Sequence, residues 1–185
     1  MRHEIVPVHC DATRIGIRRA EPADIPALLS IEEQSFATDR MTRRNFRYAI
    51  LKAKGVVLVA DCGPPDGARQ AVAYGVVAVH AGTGFARLTS FAVAPSHRGR
   101  GIARRLLPAL ESAATAMGAT ALRLEVRADN TAAIALYTAA GYRRFAVYPA
   151  YYEDEMAALR LEKALAPSGS PSRPLPTGPL PSPRP

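Results

Sequence analysis

Hydrophobic and polar positions alternate in two rhythms along this chain. Ile15 and Ile17 alternate with polar or small neighbours over Arg14–Arg19, which predicts a short strand stopped by Glu21-Pro22. Asp24, Ile25, Ala27, Leu28 and Ile31 then recur at helical spacing, with Pro22 and Pro26 placed in or near a first turn. Thr42 opens a second helix, RRNFRYAILKAK, with Phe46, Ile50 and Leu51 expected on its buried side and Gly55 at its end. Two β-branched runs, Val56–Ala60 and Ala71–His80, flank the turn-forming CGPPDGARQ and predict a hairpin. A further turn at AGTG leads to a strand over Phe85–Val93, closed by Pro95. Beyond it the rhythm predicts a helix over 101–117, a strand over 121–126, a helix over 130–140, and strands over 142–148 and 154–163. Three antiparallel strands followed by alternating helices and strands fit a mixed α/β sheet with helices packed on it.

Length and composition narrow the picture. With 185 residues, 48% hydrophobic and 22% charged, the chain suits one globular core. Its longest apolar runs, 55–60 and 71–79, are too short for a membrane-spanning helix, and charge, Pro and His interrupt the N-terminus before any signal-peptide core. A cytoplasmic protein without a membrane partner is expected. Residues 1–12 read as an extension, 13–165 as the folded domain, and 166–185 as a Pro-rich disordered tail without large apolar side chains, more a spacer than a ligand for proline-reading modules. Cys10 and Cys62 share no metal-ligand spacing with the four histidines, so no metal is expected and both are read as reduced, incidental thiols. The net charge of +8 rests on 24 basic residues, of which only Lys52, Lys54 and Lys163 are lysine. This bias permits anionic ligands without choosing among them.

The segment SFAVAPSHRGRGIARRLLPALESAA is the most informative. A strand ends at Pro95, and a glycine-containing turn feeds an amphipathic helix. Amides of Arg98, Gly99, Arg100, Gly101, Ile102 and Ala103 lie where a helix N-terminus has no internal acceptors and a positive dipole, a suitable cradle for phosphate. Gly99 and Gly101 leave room for a pyrophosphate, and Arg98, Arg100, Arg104 and Arg105 add charge. An ordinary helix entry with solvated arginines is the competing reading, and His97, by its place in the turn, is read as a loop residue rather than a catalytic group. No third glycine completes a dinucleotide fingerprint, no GK[ST] makes a P-loop, and no GxSxG elbow is present. Pro108 should kink or shorten the helix while sparing its first turn.

Arg98-Gly-Arg-Gly101-Ile-Ala103 resembles the R/Q-x-x-G-x-G/A signature of the GNAT superfamily of N-acetyltransferases, and Phe91-Ala-Val93-Ala-Pro95 resembles the strand before it. LRLEVRADNTAAIALYTAAGYRRF, residues 122–145, is similar to the ribosomal-protein alanine N-acetyltransferases (RimI-like) within that superfamily. The resemblance spans about residues 13–165 and is strongest over 85–145. It implies a mostly antiparallel central sheet splayed between the fourth and fifth strands, flanked by about four helices. Acetyl-CoA would lie in that splay as the co-substrate. By the same resemblance, backbone at Phe91, Ala92 and Val93 would hold the pantetheine and acetyl group, with the Val93 amide facing the developing oxyanion, and Asn130 would contact the cofactor.

Acetyl transfer to an amine removes a proton from the ammonium and returns one to the departing sulfur. Alternation over 122–126 puts Glu125 on the face opposite Leu122, Leu124 and Val126, where a cross-strand ion pair with an arginine is the simpler use. The resemblance instead assigns Glu125 as the general base, acting through water. Tyr137 accompanies Ile134 and Leu136 on a helix where core packing is the plainer role, and the resemblance makes it the general acid.

The resemblance places the acceptor between the loops SFATDRMT and VYPAYYEDE. Tyr148, Tyr151 and Tyr152 suit a peptide cleft, and Glu32, Glu33, Asp39, Glu153 and Asp154 could attract a cationic amine or form a solvated rim. A protein N-terminal amine, with a ribosomal protein as one candidate, is the first expected acceptor, followed by a lysine ε-amine and a small amine. A basic nucleic-acid-binding domain is the alternative from another class. It is disfavoured because no aromatic-basic stripe of the kind that reads RNA is present.

Overall fold

The structure, a computed structural model, describes residues 15–63, 69–79 and 82–166. The expected extension at 1–12, the hairpin turn at 64–68, His80 and the Pro-rich tail from Pro167 onward lie outside the described residues. Seven strands form one sheet: β1 (Gly16–Arg19), β2 (Gly55–Cys62), β3 (Gln70–Val79), β4 (Phe85–Val93), β5 (Ala121–Arg127), β6 (Arg143–Tyr148) and β7 (Ala158–Ala164). Their order is β1-β2-β3-β4-β5-β7-β6, and every pairing is antiparallel except β4 with β5. The mixed, mostly antiparallel sheet with four helices matches the expectation.

Helices α1 (Ile25–Ser35) and α2 (Arg43–Leu51) cover one face, and α3 (Ile102–Ala116) and α4 (Thr131–Ala139) the other. The first core packs Leu28, Ile31 and Phe46 on Val59, Tyr74 and Ala92, with the Phe46 ring edge-on to Tyr74 at 5.3 Å. The second packs Ile102, Leu106 and Leu110 on Val77, Leu88, Leu122 and Leu124. Gly75 is what lets α3 approach: a Cβ there would lie 2.4 Å from Leu110 Cδ1.

Several boundaries depart from the sequence-based expectation for local reasons. A 3-10 turn, Pro22–Asp24, precedes α1, because Asp24 is fixed by both Arg18 Nη atoms at 2.8 Å. Thr42 caps α2 by accepting from the Asn45 amide, but Leu51 is 48% exposed, off the Phe46 and Ile50 stripe. Pro108 does not shorten α3, which runs as one 15-residue helix. Pro108 and Arg104 both face solvent, so water can bond the carbonyl that proline leaves without a donor. The last strand begins at Ala158 rather than 154, since the amides of Tyr151 and Tyr152 both bond the Met156 carbonyl and fold 151–156 into a turn. Cys62 is disulfide-bonded, correcting the expectation of two reduced thiols; the chain's other cysteine, Cys10, lies outside the described residues. Among the described residues no helix is long and apolar enough to cross a membrane.

Candidate active site

The site begins with one extra residue. Val77 pairs with Leu88 but Val76 pairs with Ser90, so Thr89 is a bulge in β4. Before it, Ala86 and Leu88 face α3; after it, Phe91 and Val93 pack on that core while Ala92 belongs to the core under α1 and α2. The bulge also marks where β4 and β5 part. Their ladder runs from Phe85–Ala121 to Leu88–Leu124 and stops, while β5 continues to Arg127 and β4 to Val93.

The parted stretch of β4 has a defined polarity. The Ala94 amide donates to the Val72 carbonyl at 2.8 Å, so by antiparallel alternation Ala92 bonds β3 while Phe91 and Val93 turn their N–H and C=O groups into the gap. Phe91 and Val93 therefore present backbone where the expectation placed it. Ala92 does not, and contributes a small side chain on the opposite face.

At the open end of the gap the chain makes a 3-10 turn, Pro95–His97, and enters α3 through Gly99 and Gly101, both at φ 74°. A left-handed residue at the N-cap reverses the chain so that the first amides of α3 face outward. Among the described residues the amides of Gly99, Gly101, Ile102 and Ala103 have no hydrogen-bond partner, and a Cβ on either glycine would meet nothing within 4 Å. These open amides at a helix N-terminus fit a diphosphate. Two of the arginines brace the turn: Arg98 Nε donates to the Val93 carbonyl and its Nη2 to Ser35 Oγ, and Arg100 Nη2 donates to the Ser96 carbonyl. His97 is a loop residue whose Nδ1 lies 2.9 Å from Ser96 Oγ, with its pKa lowered by burial and by Arg100.

Glu125 is the first residue of β5 past the last β4 pair, on the face away from α3. Its side chain is 8% exposed and clamped: Arg87 of β4 reaches Oε2 at 2.7 Å and Arg160 of β7 donates to Oε1 at 3.2 Å. The cross-strand ion pair weighed for Glu125 is thus present, with two arginines. Both are tied to aromatic hydroxyls, Arg87 to Tyr151 and Arg160 to Tyr148. Tyr137 closes the other side of the gap from α4, its ring 6.4 Å from Phe91 and 5.5 Å from Tyr142. Its hydroxyl makes no hydrogen bond among the described residues, and burial, with a smaller contribution from Tyr152, pushes its pKa far above the ordinary phenol. Asn130 caps α4 by accepting from the Ala133 amide, which engages its carbonyl and leaves its side-chain NH2 on an exposed residue.

The loops expected to flank the acceptor also differ from a simple acidic rim. Tyr148 stacks on Tyr151 at 5.9 Å, and Tyr151 meets Tyr152 edge-on at 5.1 Å. Asp154 is held by Arg127, and Glu32 is 2% exposed inside α1 rather than on a rim. A cavity of about 330 Å³ lies beside the bulge, lined by Met41, Asn45, Tyr48, Ala49, Val76 and Thr89 among others. Residue-by-residue reading missed Arg87 and Arg160, although both are basic positions in strands that neighbour Glu125; pairing them with it required the strand order. It also missed Ser90.

A sheet that parts between two parallel neighbours, with strand backbone turned toward the gap along one lip and open amides of a helix N-terminus at its mouth, is the architecture of N-acyltransferases. The profile of the acetyltransferase (GNAT) family matches residues 25–142, and the chain belongs to that family. An uncharacterized protein of Mycobacterium leprae is 35% identical over 161 residues, 82% of this chain but 41% of that protein. The N-alpha-acetyltransferase RimI of Mycobacterium tuberculosis is 45% identical over 60 residues, 32% of this chain and 36% of the relative. The chain thus spans less than half the length of these curated relatives in the matched segments. The crystal structure of the ribosomal-protein-S18-alanine N-acetyltransferase from Escherichia coli superposes with a TM-score of 0.71 at 26% identity, covering 84% of this chain and 96% of that one.

Proposed function

We propose that this chain transfers the acetyl group of acetyl-CoA directly to an amine, foremost the N-terminal α-amine of a protein. The observation that carries this reading is the gap itself: Phe91 and Val93 offer backbone groups along it, the amides of Gly99, Gly101, Ile102 and Ala103, without a partner among the described residues, stand at one end, and the Tyr137 phenol stands across it. An extended ligand with its own amides would pair along the lip of β4, and its diphosphate would meet the start of α3. The Val93 N–H is the proposed donor to the developing oxyanion. Glu125 is the proposed base, taking the ammonium proton through a water. Tyr137, held protonated by burial, is the proposed donor to the departing thiolate. The names of the RimI relatives and the tyrosine-lined wall support a peptide acceptor, and a ribosomal protein is one candidate.

The test is incubation with acetyl-CoA and a library of peptides with free N-termini and internal lysines, with acetylated positions read by mass spectrometry. Acetylation at the α-amine is expected. Modification confined to lysine side chains would move the acceptor to the ε-amine, and no acetylation of any amine would overturn the reading.

A further inference from the structure

Glu32 is the buried titratable group that this scheme leaves without a task. It sits on the inner side of α1 at 2% exposure. Ser90 Oγ donates to Glu32 Oε1 at 3.1 Å, and the Tyr74 hydroxyl lies 2.8 Å from the same Oγ. Among the described residues Glu32 Oε2 has no partner within hydrogen-bond distance. A plain strut between helix and sheet would be made more cheaply by a neutral side chain, because the hydration this carboxylate gives up outweighs what Tyr74, Ser90 and the Met41 backbone return to it. The position of Ser90 is therefore informative. It is the first residue after the β4 bulge, immediately before Phe91, on the face of the sheet that carries α1, and it is half-buried rather than sealed.

Glu125 approaches the same region from β5 with both oxygens already engaged by Arg87 and Arg160. We propose that Ser90 and Glu32 form a second proton acceptor for the reaction, taking by relay the proton that the attacking nitrogen still carries after Glu125 has removed the first; this rests on the amine-transfer reading above. Ser90 Oγ has the required valences. Its hydrogen goes to Glu32, one lone pair faces the Tyr74 hydroxyl, and the other is available to an incoming N–H. As the positively charged nitrogen of the tetrahedral adduct gives its proton to Ser90 Oγ, the Ser90 proton passes to Glu32 Oε1. The products are a neutral nitrogen, an unchanged serine and a neutral Glu32 carboxyl, so with the first proton on Glu125 and the Tyr137 proton on the departing sulfur, charge and atoms balance.

The surroundings favour that direction. Burial raises the Glu32 pKa above the ordinary carboxylate, opposed by Tyr74 of β3, Ser90 of β4, and the Met41 backbone and Arg40 in the loop between α1 and α2. A carboxylate raised toward neutrality is a better proton acceptor at working pH. Because Glu32 acts only when ionised, the acid limb of the rate profile should fall above the range of an ordinary glutamate.

The experiment measures kcat/KM for acetylation of a peptide amine from about pH 6 to about pH 9 in the wild type and in Ser90→Ala, Ser90→Thr and Glu32→Gln. Ser90→Ala and Glu32→Gln should lose about 10²-fold at the low end and recover to within about 3-fold at the high end, where more of the amine arrives deprotonated. Ser90→Thr, which keeps a hydroxyl, should stay near wild type. Stabilisation by acetyl-CoA should be retained in each variant, and if Glu32→Gln does not fold, Ser90→Ala decides. Wild-type rates in Ser90→Ala, or an equal loss at every pH, would overturn the relay while leaving acetyl transfer intact. A wild-type protein that binds acetyl-CoA yet acetylates no amine would overturn the amine-transfer reading, and the relay with it.

Discussion

Gly101 allows the start of α3 to be tested with two substitutions that share a backbone cost and differ in charge. The residue sits at φ 74°, and a Cβ would meet nothing within 4 Å, so alanine adds strain without a clash. Left-handed backbone costs an L-residue about 1–2 kcal/mol. At about 2–4 °C per kcal/mol for a domain of this size, Gly101→Ala should lower Tm by about 2–8 °C. Acetyl-CoA at about 100 times its Kd contributes about 2.7 kcal/mol, or about 5–11 °C, and the alanine variant should keep that increment because its N–H remains in place. Gly101→Glu carries the same strain and adds a carboxylate beside the proposed diphosphate. At a separation of about 6 Å and an effective dielectric of about 20, the repulsion is about 3 kcal/mol per phosphate charge, enough to weaken binding by about 10²-fold. Differential scanning fluorimetry with and without acetyl-CoA reads both quantities. A glutamate variant that folds and keeps the full ligand increment would refute the placement of phosphate at this helix.

Glu125→Gln should slow peptide acetylation by about 10² to 10⁴ near neutral pH with acetyl-CoA stabilisation retained, and the deficit should narrow as pH rises; a lowered Tm with a pH-independent rate deficit would show the Arg87–Glu125–Arg160 clamp to be structural. Tyr137→Phe should fold normally and slow turnover, and an unchanged kcat with the same peptide would remove it as the acid. Leu110→Ala, at a fully buried position, should cost about 2–5 kcal/mol in urea unfolding, and Gly75→Ala should be better tolerated in that background than in the wild type, since its new Cβ collides with Leu110. The Arg18 guanidinium holds the Asp24 carboxyl below the ordinary range against the opposing effect of burial, so this pair stabilises the fold above about pH 4 and loses that contribution as acidification protonates Asp24. Calorimetric Tm values of wild type and Asp24→Asn should therefore differ at neutral pH, and the difference should shrink as pH falls below the ordinary carboxylate range.

Periodicity read well where one face of an element meets one core. The strand Phe85–Val93 has the boundaries expected from its apolar run, and alternation in β5 put Glu125 on the correct face. The glycine turn into α3 was legible because a left-handed N-cap demands glycine. Glu32 shows how residue type can mislead. It lies four residues after Leu28, on the buried stripe of α1, but its charge favoured an exposed rim. The Thr89 bulge leaves no trace in an apolar pattern, because an inserted residue changes only which neighbours the following side chains meet. The arginine clamp was equally hidden, since Arg87 and Arg160 reach Glu125 only through the parallel pairing of β4 with β5 and the antiparallel pairing of β7. The last strand was expected too early because the turn at 151–156 is set by backbone bonds to Met156 rather than by a breaker residue.

The early end of the β4–β5 ladder gives this sheet two interior rims in addition to the outer ones at β1 and β6. Rims of unpaired amides and carbonyls ordinarily recruit strands from other chains, and proteins shield their outer ones with charge or proline. Here helices stand on both faces and the Tyr137 ring lies 6.4 Å from Phe91, so side chains crowd the slot that a strand from another chain would have to enter. The proposed co-substrate, lying along these rims, would be what keeps them from pairing with another chain. Trimming Tyr137 or Phe91 to alanine should therefore increase self-association, most of all without acetyl-CoA.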